Sequence, residues 1–425
     1  LSCLHYLSAD PSKPEAYAEL RIRLEEIDRT IDNPHNYLYY LATPPLLYGV
    51  IPRHLKAEGL NRDGDGFRRI VVEKPFGYDL SSALELNRIY LDAFREEQIY
   101  RIDHFLGKET VQNILALRFA NSVFEPLWNR NYIDYVEITA VENMGIGTRG
   151  GFYDGVGTLR DMVQNHLAQL LAVTAMEPPA AFDASGFRNE VVKVYQSLTP
   201  LTGEDIRHSV VRGQYMASEG RKGYREEEQV PTLSRTETYL AMRLELNNWR
   251  WGGVPFYIRT GKQMPTKVSE IVIHFKPAPY SLFRCEGGTC PVPNRLVIRI
   301  QPNEGIVLRL GMKKPGEGFE VLPMDMDFSY ADLGRLPTED AYARLIEDCI
   351  AGDPTLFIRS DAVESGWRFF DPILKYWQDV PECPLYGYPA GSWGPLEADS
   401  LVARQGASWT NPCKNLTNTH LYCEL

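Results

Sequence analysis

The sequence predicts a parallel, doubly wound α/β domain followed by a larger α+β domain with a mostly antiparallel sheet covered by helices. Three observations carry this. Strand-like and helix-like segments alternate up to about residue 103, the grammar of a parallel sheet with crossover helices. Beyond about residue 122 several strand-like segments alternate apolar with polar residues, as in Arg295-Leu296-Val297-Ile298-Arg299-Ile300, which suits an antiparallel sheet with one covered face. Residues able to do chemistry gather where the early strands end: Ala42-Thr43-Pro44-Pro45, Glu73-Lys74-Pro75-Phe76-Gly77 and Asp103-His104. Ligands of parallel sheets bind outside the carboxyl ends of the strands.

Taken in order, residues 3–9 read as a short strand. Ser12-Lys13-Pro14-Glu15 then opens a helix, with Ser12 as its cap and a proline in the first turn. Ala16, Leu20, Ile22, Leu24 and Ile27 give that helix an apolar side. The apolar run 37–42 is stopped by Pro44-Pro45, a helix follows over 46–58, and a turn over 61–66. Ile70-Val71-Val72 has the continuous β-branched look of a strand buried on both faces. A helix over 80–97, with Leu84, Ile89, Leu91 and Phe94, leads to a last short strand at 99–102. In the second part, strands are expected at 136–142, 238–246, 255–259, 270–276, 295–301 and 306–310, and helices at 158–175, 340–349 and 361–377. The boundary falls at residue 103, giving domains 1–103 and 104–425, with the candidate site in the cleft at their junction.

The chain of 425 residues has 44% hydrophobic and 24% charged residues and a net charge of −11. This composition is ordinary for a globular protein and opposes general nucleic-acid binding, which needs a basic surface. No apolar run approaches the roughly 20 residues that span a membrane. An anionic ligand must therefore be drawn by a local group of cations against the global field. The seven cysteines are scattered and form no CxxC pair, which suggests reduced thiols and a cytoplasmic protein. Cys285 and Cys290 flank EGGT without histidines at metal-ligand spacing, so no metal is expected. The sequon Asn415-Leu416-Thr417 carries little weight without a secretory signal.

Gly145-Ile146-Gly147-Thr148-Arg149-Gly150 fits GxGxxG. The strand before it alternates, and the helix expected from 158 starts too late to aim its N-terminus at a pyrophosphate. A loop is the reading preferred here. No other glycine fingerprint occurs. For a Rossmann-type first domain, the first strand and phosphate turn are therefore expected upstream of Leu1, which makes the chain a truncated form.

RIDHFLGKET (101–110) crowds Arg101, Asp103, His104, Lys108 and Glu109 around Gly107. It reads either as a solvated turn or as an anion site with acid/base chemistry beside it. DMVQNH (161–166) places Asp161 and His166 on an apolar helix. Alone, these read as a cap and a core histidine; at α-helical spacing they point about 140° apart. Taken singly, Lys262 and Lys267 read equally as solvated lysines, Glu142 as an exposed strand residue and Lys74 as the cap of a sheet edge.

Together with EKPFG (73–77), YLATPP (40–45), WRWGGVPFYIRTGK (249–262) and AGSWGP (390–395), these stretches resemble the glucose-6-phosphate dehydrogenases of bacterial type, in family order from about residue 38 to 395. The resemblance implies oxidation of the C1 hydroxyl of D-glucose 6-phosphate to the lactone, the first step of the oxidative pentose phosphate pathway. The hydride passes to NADP, or NAD in some members. It implies His166 as general base and Asp103 as the carboxylate that orients it. His104 and Lys108 would bind the sugar phosphate, Glu142 and Asp161 would accept from sugar hydroxyls, and Lys262 and Lys267 would donate. Lys74, Ala42 and Pro44 would face the cofactor, and Pro75 would follow a cis bond. Tyr388, just ahead of AGSWGP, would approach the site. The family's upstream glycine-rich turn holds the pyrophosphate, so turnover by the bare 425-residue chain is not expected. The resemblance further implies a homodimer or homotetramer formed through the sheet of the second domain, without metal, nucleic acid or membrane as partners. The alternative, a non-catalytic sugar-phosphate-binding homologue, is disfavoured by the presence of both His166 and Asp103.

Overall fold

The computed structural model describes residues 3–31, 33–280, 282–283, 294–316, 318–333, 340–403 and 407–412. Helix α1 (Glu15–Ile31) is followed by β1 (Tyr37–Leu41), α2 (Ile51–Ala57), β2 (Arg68–Val72), α3 (Leu80–Ala93) and β3 (Ile99–Arg101). Next come α4 (Glu109–Phe119), β4 (Ile133–Val141), α5 (Gly150–Thr158), a π-helix (Leu159–Leu167), α6 (Ala168–Ala175), α7 (Ala184–Gln196) and α8 (Glu204–Ser209). The strands β5 (Val210–Met216), β6 (Tyr239–Glu245), β7 (Pro255–Gly261), β8 (Val268–Phe275), β9 (Arg295–Gln301), β10 (Gly305–Lys313) and β11 (Val321–Ser329) follow. Helices α9 (Ala341–Ala351) and α10 (Ser360–Asp379) precede the last strand, β12 (Tyr386–Pro389).

The chain forms two compact units. One comprises Leu1–Gly107, Pro179–Val192 and Glu339–Arg368; the other comprises Lys108–Pro178, Lys193–Thr338 and Phe369–Leu425. A single cut at residue 103 therefore leaves out two segments that return to the first unit. Hydrogen bonds tie the later of them, Glu339–Arg368, back to it. The Arg69 guanidinium donates to the carbonyls of Cys349 and Ile350 at the end of α9 (2.7 and 2.6 Å), and the Trp367 indole N–H donates to the Phe76 carbonyl (3.0 Å).

The first unit holds the parallel sheet, in the order β1-β2-β3. Ile70, Val71 and Val72 are buried, as their β-branched run implies. Residues 3–10 form no strand, and Leu4 and Tyr6 are exposed. Ser12 does not cap α1; its N–H and hydroxyl both donate to the Asp10 carboxylate (2.9 and 2.7 Å). The helix expected over 46–58 is split into a short 3₁₀ turn at Pro45–Leu47 and α2, each with a proline in its first turn. Proline is tolerated there because its missing N–H is not needed, and it breaks a helix interior.

The second unit is built on a nine-stranded sheet, in the order β11-β10-β9-β8-β4-β7-β6-β5-β12. Neighbours are antiparallel except for β4 with β7 and β5 with β12. Helix α4 packs on β9, with the Thr110 hydroxyl donating to the Ile300 carbonyl (3.3 Å). The π-helix lies against β7.

The glycine fingerprint needs two corrections. Helix α5 starts at Gly150, directly at the glycines, and the preceding residues Val136–Val141 of β4 are buried throughout. What excludes a pyrophosphate there is space. A Cβ on Gly150 would collide with the Glu228 backbone, and one on Gly145 would lie 2.6 Å from the Glu227 carboxylate. Gly150 thus admits another stretch of the chain's own backbone, and side chains of Glu227 and Gln263 crowd Gly145, whereas Gly147 faces open space.

Candidate active site

In the first unit, Leu41, Val72 and Arg101 stand at one level across the parallel sheet. The residues that follow therefore leave along one edge: Ala42 and Pro44 after β1, Glu73 and Lys74 after β2, Asp103 and His104 after β3. Ala42 and Pro44 are exposed and Lys74 is half-buried. The Lys74–Pro75 bond is cis, as the resemblance implies. Asp103 is only 2% exposed and accepts the Phe105 N–H (2.9 Å). The His104 ring stacks on Tyr342, with centroids 6.0 Å apart and planes 11° off parallel.

Sequence reasoning missed Tyr40, Tyr342 and the role of Glu73. The Glu73 carboxylate accepts from the Tyr40 hydroxyl (2.5 Å) and the Tyr342 hydroxyl (3.4 Å). Burial, and then Glu73, push the Tyr342 phenol up, so it stays a donor. Tyr342 sits in the first turn of α9, where the Asp340 cap accepts its N–H (2.9 Å). Only the cap signal of Asp340 ahead of an apolar-periodic helix pointed to it in the sequence.

In the second unit, the parallel pairing of β4 with β7 sets Val141 opposite Gly261. Glu142 and Lys262 therefore leave their strands side by side. The Glu142 N–H donates to the Gly261 carbonyl and the Lys262 N–H to the Thr238 carbonyl, both at 2.9 Å. The Lys262 ammonium is paired with the Glu142 carboxylate and lies 3.6 Å from Asp161. It also lies 5.3 Å over the Tyr153 ring. Lys262 is 5% exposed, so it is no solvated lysine. Burial, and then Asp161, hold the Tyr153 phenol well above its ordinary range. Tyr388 is buried and supports the site from behind, donating to the Lys262 carbonyl (2.7 Å).

The π-helix changes the relation between Asp161 and His166. The Ala168 N–H bonds to the carbonyl of Val163, five residues back, as well as to Asn165. With hydrogen bonds that reach five residues back, such a helix turns less per residue than an α-helix. The α-helical divergence of about 140° is therefore reduced, which brings Asp161 and His166 toward one side of the helix. His166 is 2% exposed. Long π-helices are rare, and π-type turns recur at functional sites.

Lys108 is the N-cap residue of α4, with no side-chain cap on the helix. Its ammonium donates to the Gln301 side chain (2.5 Å), and burial pushes the nearby Glu304 carboxyl up. The uncapped N–H groups of α4 and this ammonium make a place for an anion. Lys267 is exposed, immediately ahead of β8. The pair Cys285 and Cys290 and the sequon at 415–417 lie outside the described residues. Among the described residues no helix is long and apolar enough to cross a membrane.

Residues 1–113 match the family model for the NAD binding domain of glucose-6-phosphate dehydrogenase, and residues 115–410 match the model for its C-terminal domain. The chain belongs to the glucose-6-phosphate dehydrogenase family. It is 53% identical over 415 residues to glucose-6-phosphate 1-dehydrogenase of Aggregatibacter actinomycetemcomitans, covering 97% of this chain and 83% of that protein. It is 48% identical over 430 residues to the enzyme of Treponema pallidum (strain Nichols), covering 100% and 83%. Among solved structures, it resembles a glucose-6-phosphate dehydrogenase in complex with its substrate glucose-6-phosphate, with a TM-score of 0.87, 34% identity and coverage of 96% and 82%. It also resembles the Mycobacterium avium enzyme, with a TM-score of 0.79, 38% identity and the same coverage. A glucose-6-phosphate dehydrogenase is an oxidoreductase that works with a nicotinamide dinucleotide, and the parallel sheet is its dinucleotide-binding part. The sheet edge fits that cofactor in kind: exposed Ala42 and Pro44 offer apolar contact, and Lys74 offers a cation.

Proposed function

We propose that this chain oxidises the C1 hydroxyl of D-glucose 6-phosphate to 6-phosphoglucono-1,5-lactone, with NADP as the acceptor. The observation that carries the reading is the π-helix that brings Asp161 and His166 toward one side, with Lys262 paired to Glu142 and beside Asp161. Such an arrangement offers a base together with acceptors and a donor for neighbouring hydroxyls. His166 takes the proton from the C1 hydroxyl as C1 gives up hydride. When bound, the nicotinamide supplies the hydride acceptor. Asp103 orients the imidazole and stabilises its cationic form, which a buried carboxylate does well. Glu142 and Asp161 accept from sugar hydroxyls, and Lys262 and Lys267 donate. His104 and Lys108 hold the phosphate. Lys74, Ala42 and Pro44 face the cofactor.

The assay follows nicotinamide reduction by the complete gene product. Turnover with glucose 6-phosphate and NADP is expected, with a higher kcat/KM than with NAD. A higher value with NAD overturns the choice of NADP, and no turnover with either overturns the enzymatic reading. Lys108→Ala should weaken binding of glucose 6-phosphate by about 1.5–3 kcal/mol, the range for a hydrogen bond to a charged group. Titration calorimetry should find glucose itself little affected; equal losses for both sugars would remove Lys108 from the phosphate.

We further propose a homodimer or homotetramer formed through the sheet of the second unit. Met312, Met324, Met326 and Phe328 stand exposed on one face of β10 and β11, and an apolar patch of this kind favours association. The cytoplasm is the proposed compartment, where thiols such as Cys349 and Cys383 stay reduced.

A further inference from the structure

Glu237 lies just ahead of β6, outside every residue given a role above. It is 6% exposed. Its carboxyl oxygen accepts the N–H of Leu159, the first residue of the π-helix (3.0 Å). Its backbone carbonyl accepts both the N–H (3.1 Å) and the hydroxyl (2.9 Å) of Thr158. Gly157 makes this approach possible: it has φ +73°, and a Cβ there would lie 2.5–2.9 Å from the Glu237 carboxyl atoms. The next residue, Thr238, gives its carbonyl to the Lys262 N–H (2.9 Å). Its hydroxyl bonds with the Tyr388 hydroxyl (3.1 Å). Two consecutive residues thus hold the start of the π-helix and the backbone of Lys262.

Thr158 already satisfies its hydroxyl on Tyr153 (2.8 Å) as well as on Glu237, and Arg160 turns back to the Val156 carbonyl (3.1 Å). At the Leu159 N–H the acceptor is the Glu237 side chain. Burial pushes the Glu237 carboxyl up, against the lowering influence of the Leu159 N–H, Arg212 and Arg160. An amide oxygen could accept the same N–H. A π-helix needs such holding, because uninterrupted α-helical bonding is the common state of a chain and π-type turns are rare. Relapse to α-helical spacing would turn Asp161 and His166 about 140° apart.

We infer that Glu237 is a positioning residue for the dehydrogenase reaction: its carboxyl oxygen holds the first turn of the π-helix through the Leu159 N–H, and so keeps Asp161 and His166 facing one ligand. This rests on the roles proposed for those two residues. Glu237→Gln, Glu237→Asp and Glu237→Ala test it in the complete gene product. Gln keeps an oxygen at the same reach, so its kcat should stay within about threefold of wild type. Asp withdraws the oxygen and Ala removes it, so both should lower kcat about 10–100-fold, the cost of a small misplacement of a reacting group. KM for glucose 6-phosphate should move less than about threefold, because the phosphate contacts are untouched. A role in stability alone would lower melting temperature and leave kcat per folded molecule unchanged. If the Ala variant does not fold, the Gln and Asp pair decides. Wild-type kcat in the Asp variant, or a Gln variant as slow as the Asp variant, overturns the inference. His166→Asn runs alongside: full activity there condemns the base assignment, whereas a slow His166→Asn with a fast Glu237→Asp condemns the positioning role alone.

Discussion

Replacing His166 by asparagine should lower kcat by about 10²–10⁴-fold, the span for losing a general base. Asparagine keeps a polar group of similar size on the buried face of the π-helix, so the fold has little reason to change. The phosphate contacts proposed for Lys108 do not involve it, and the dissociation constant for glucose 6-phosphate should stay close to wild type. Single-turnover rates and equilibrium binding, measured separately, distinguish the two quantities. Retention of near-normal kcat would mean that the C1 proton leaves by another route, and the base assignment would fall.

Lys262→Met should cost about 10²-fold in kcat/KM, the scale of one or two charge-assisted hydrogen bonds. The ammonium does two things at once. In the role proposed for it, it donates to the sugar, and its ion pairs hold Glu142 and Asp161 in place. Methionine fills the volume and leaves two carboxylates facing each other without a cation. Their side chains are 32% and 23% exposed, so solvent limits the loss of stability to about 1–2 kcal/mol, well under the penalty for a fully buried pair. Adding Glu142→Gln to Lys262→Met should cost less than the sum of the two single changes, because the groups share one network. Additive losses in kcat/KM would show that Lys262 and Glu142 act independently.

Local pattern made some of this legible and tertiary context hid the rest. Ile70-Val71-Val72 announced a doubly buried strand because it is the central strand of a parallel sheet, where both faces take apolar side chains. Strand β5 was invisible for the opposite reason. Arg212 and Gln214 are polar and buried, yet satisfied: Arg212 donates to the carbonyls of Cys383 and Pro384, Gln214 to those of Ser234 and Thr236. Strand β11 contains Pro323, Asp325 and Asp327 and survives as an edge strand through Arg309 on β10 and Arg299 on β9. Proline and charge are tolerated at such an edge. In the candidate site, the residue types and most positions could be quoted from the sequence. The π-helix that changes how Asp161 and His166 are disposed could not, since apolar spacing does not reveal which carbonyl an N–H selects. Nor could the support that Tyr342 and Tyr40 give to Glu73, which depends on residues far apart in the chain.

The parallel seam between β4 and β7 also bears on how the enzyme acquires its activity. Hairpin neighbours such as β6 and β7 can zip from a nearby turn, whereas α5, the π-helix, α6, α7, α8 and two strands lie between β4 and β7. Their pairing closes a long loop whose entropy must be met before any contact rewards it. Glu142 and Lys262 meet only across that seam. A nascent chain can therefore collapse and form most of its helices while Glu142 and Lys262, the residues proposed to meet the sugar, still lie apart. On the roles proposed for these residues, catalytic competence arrives only with this long-range pairing, and a chain stalled before that step would look folded and be inert.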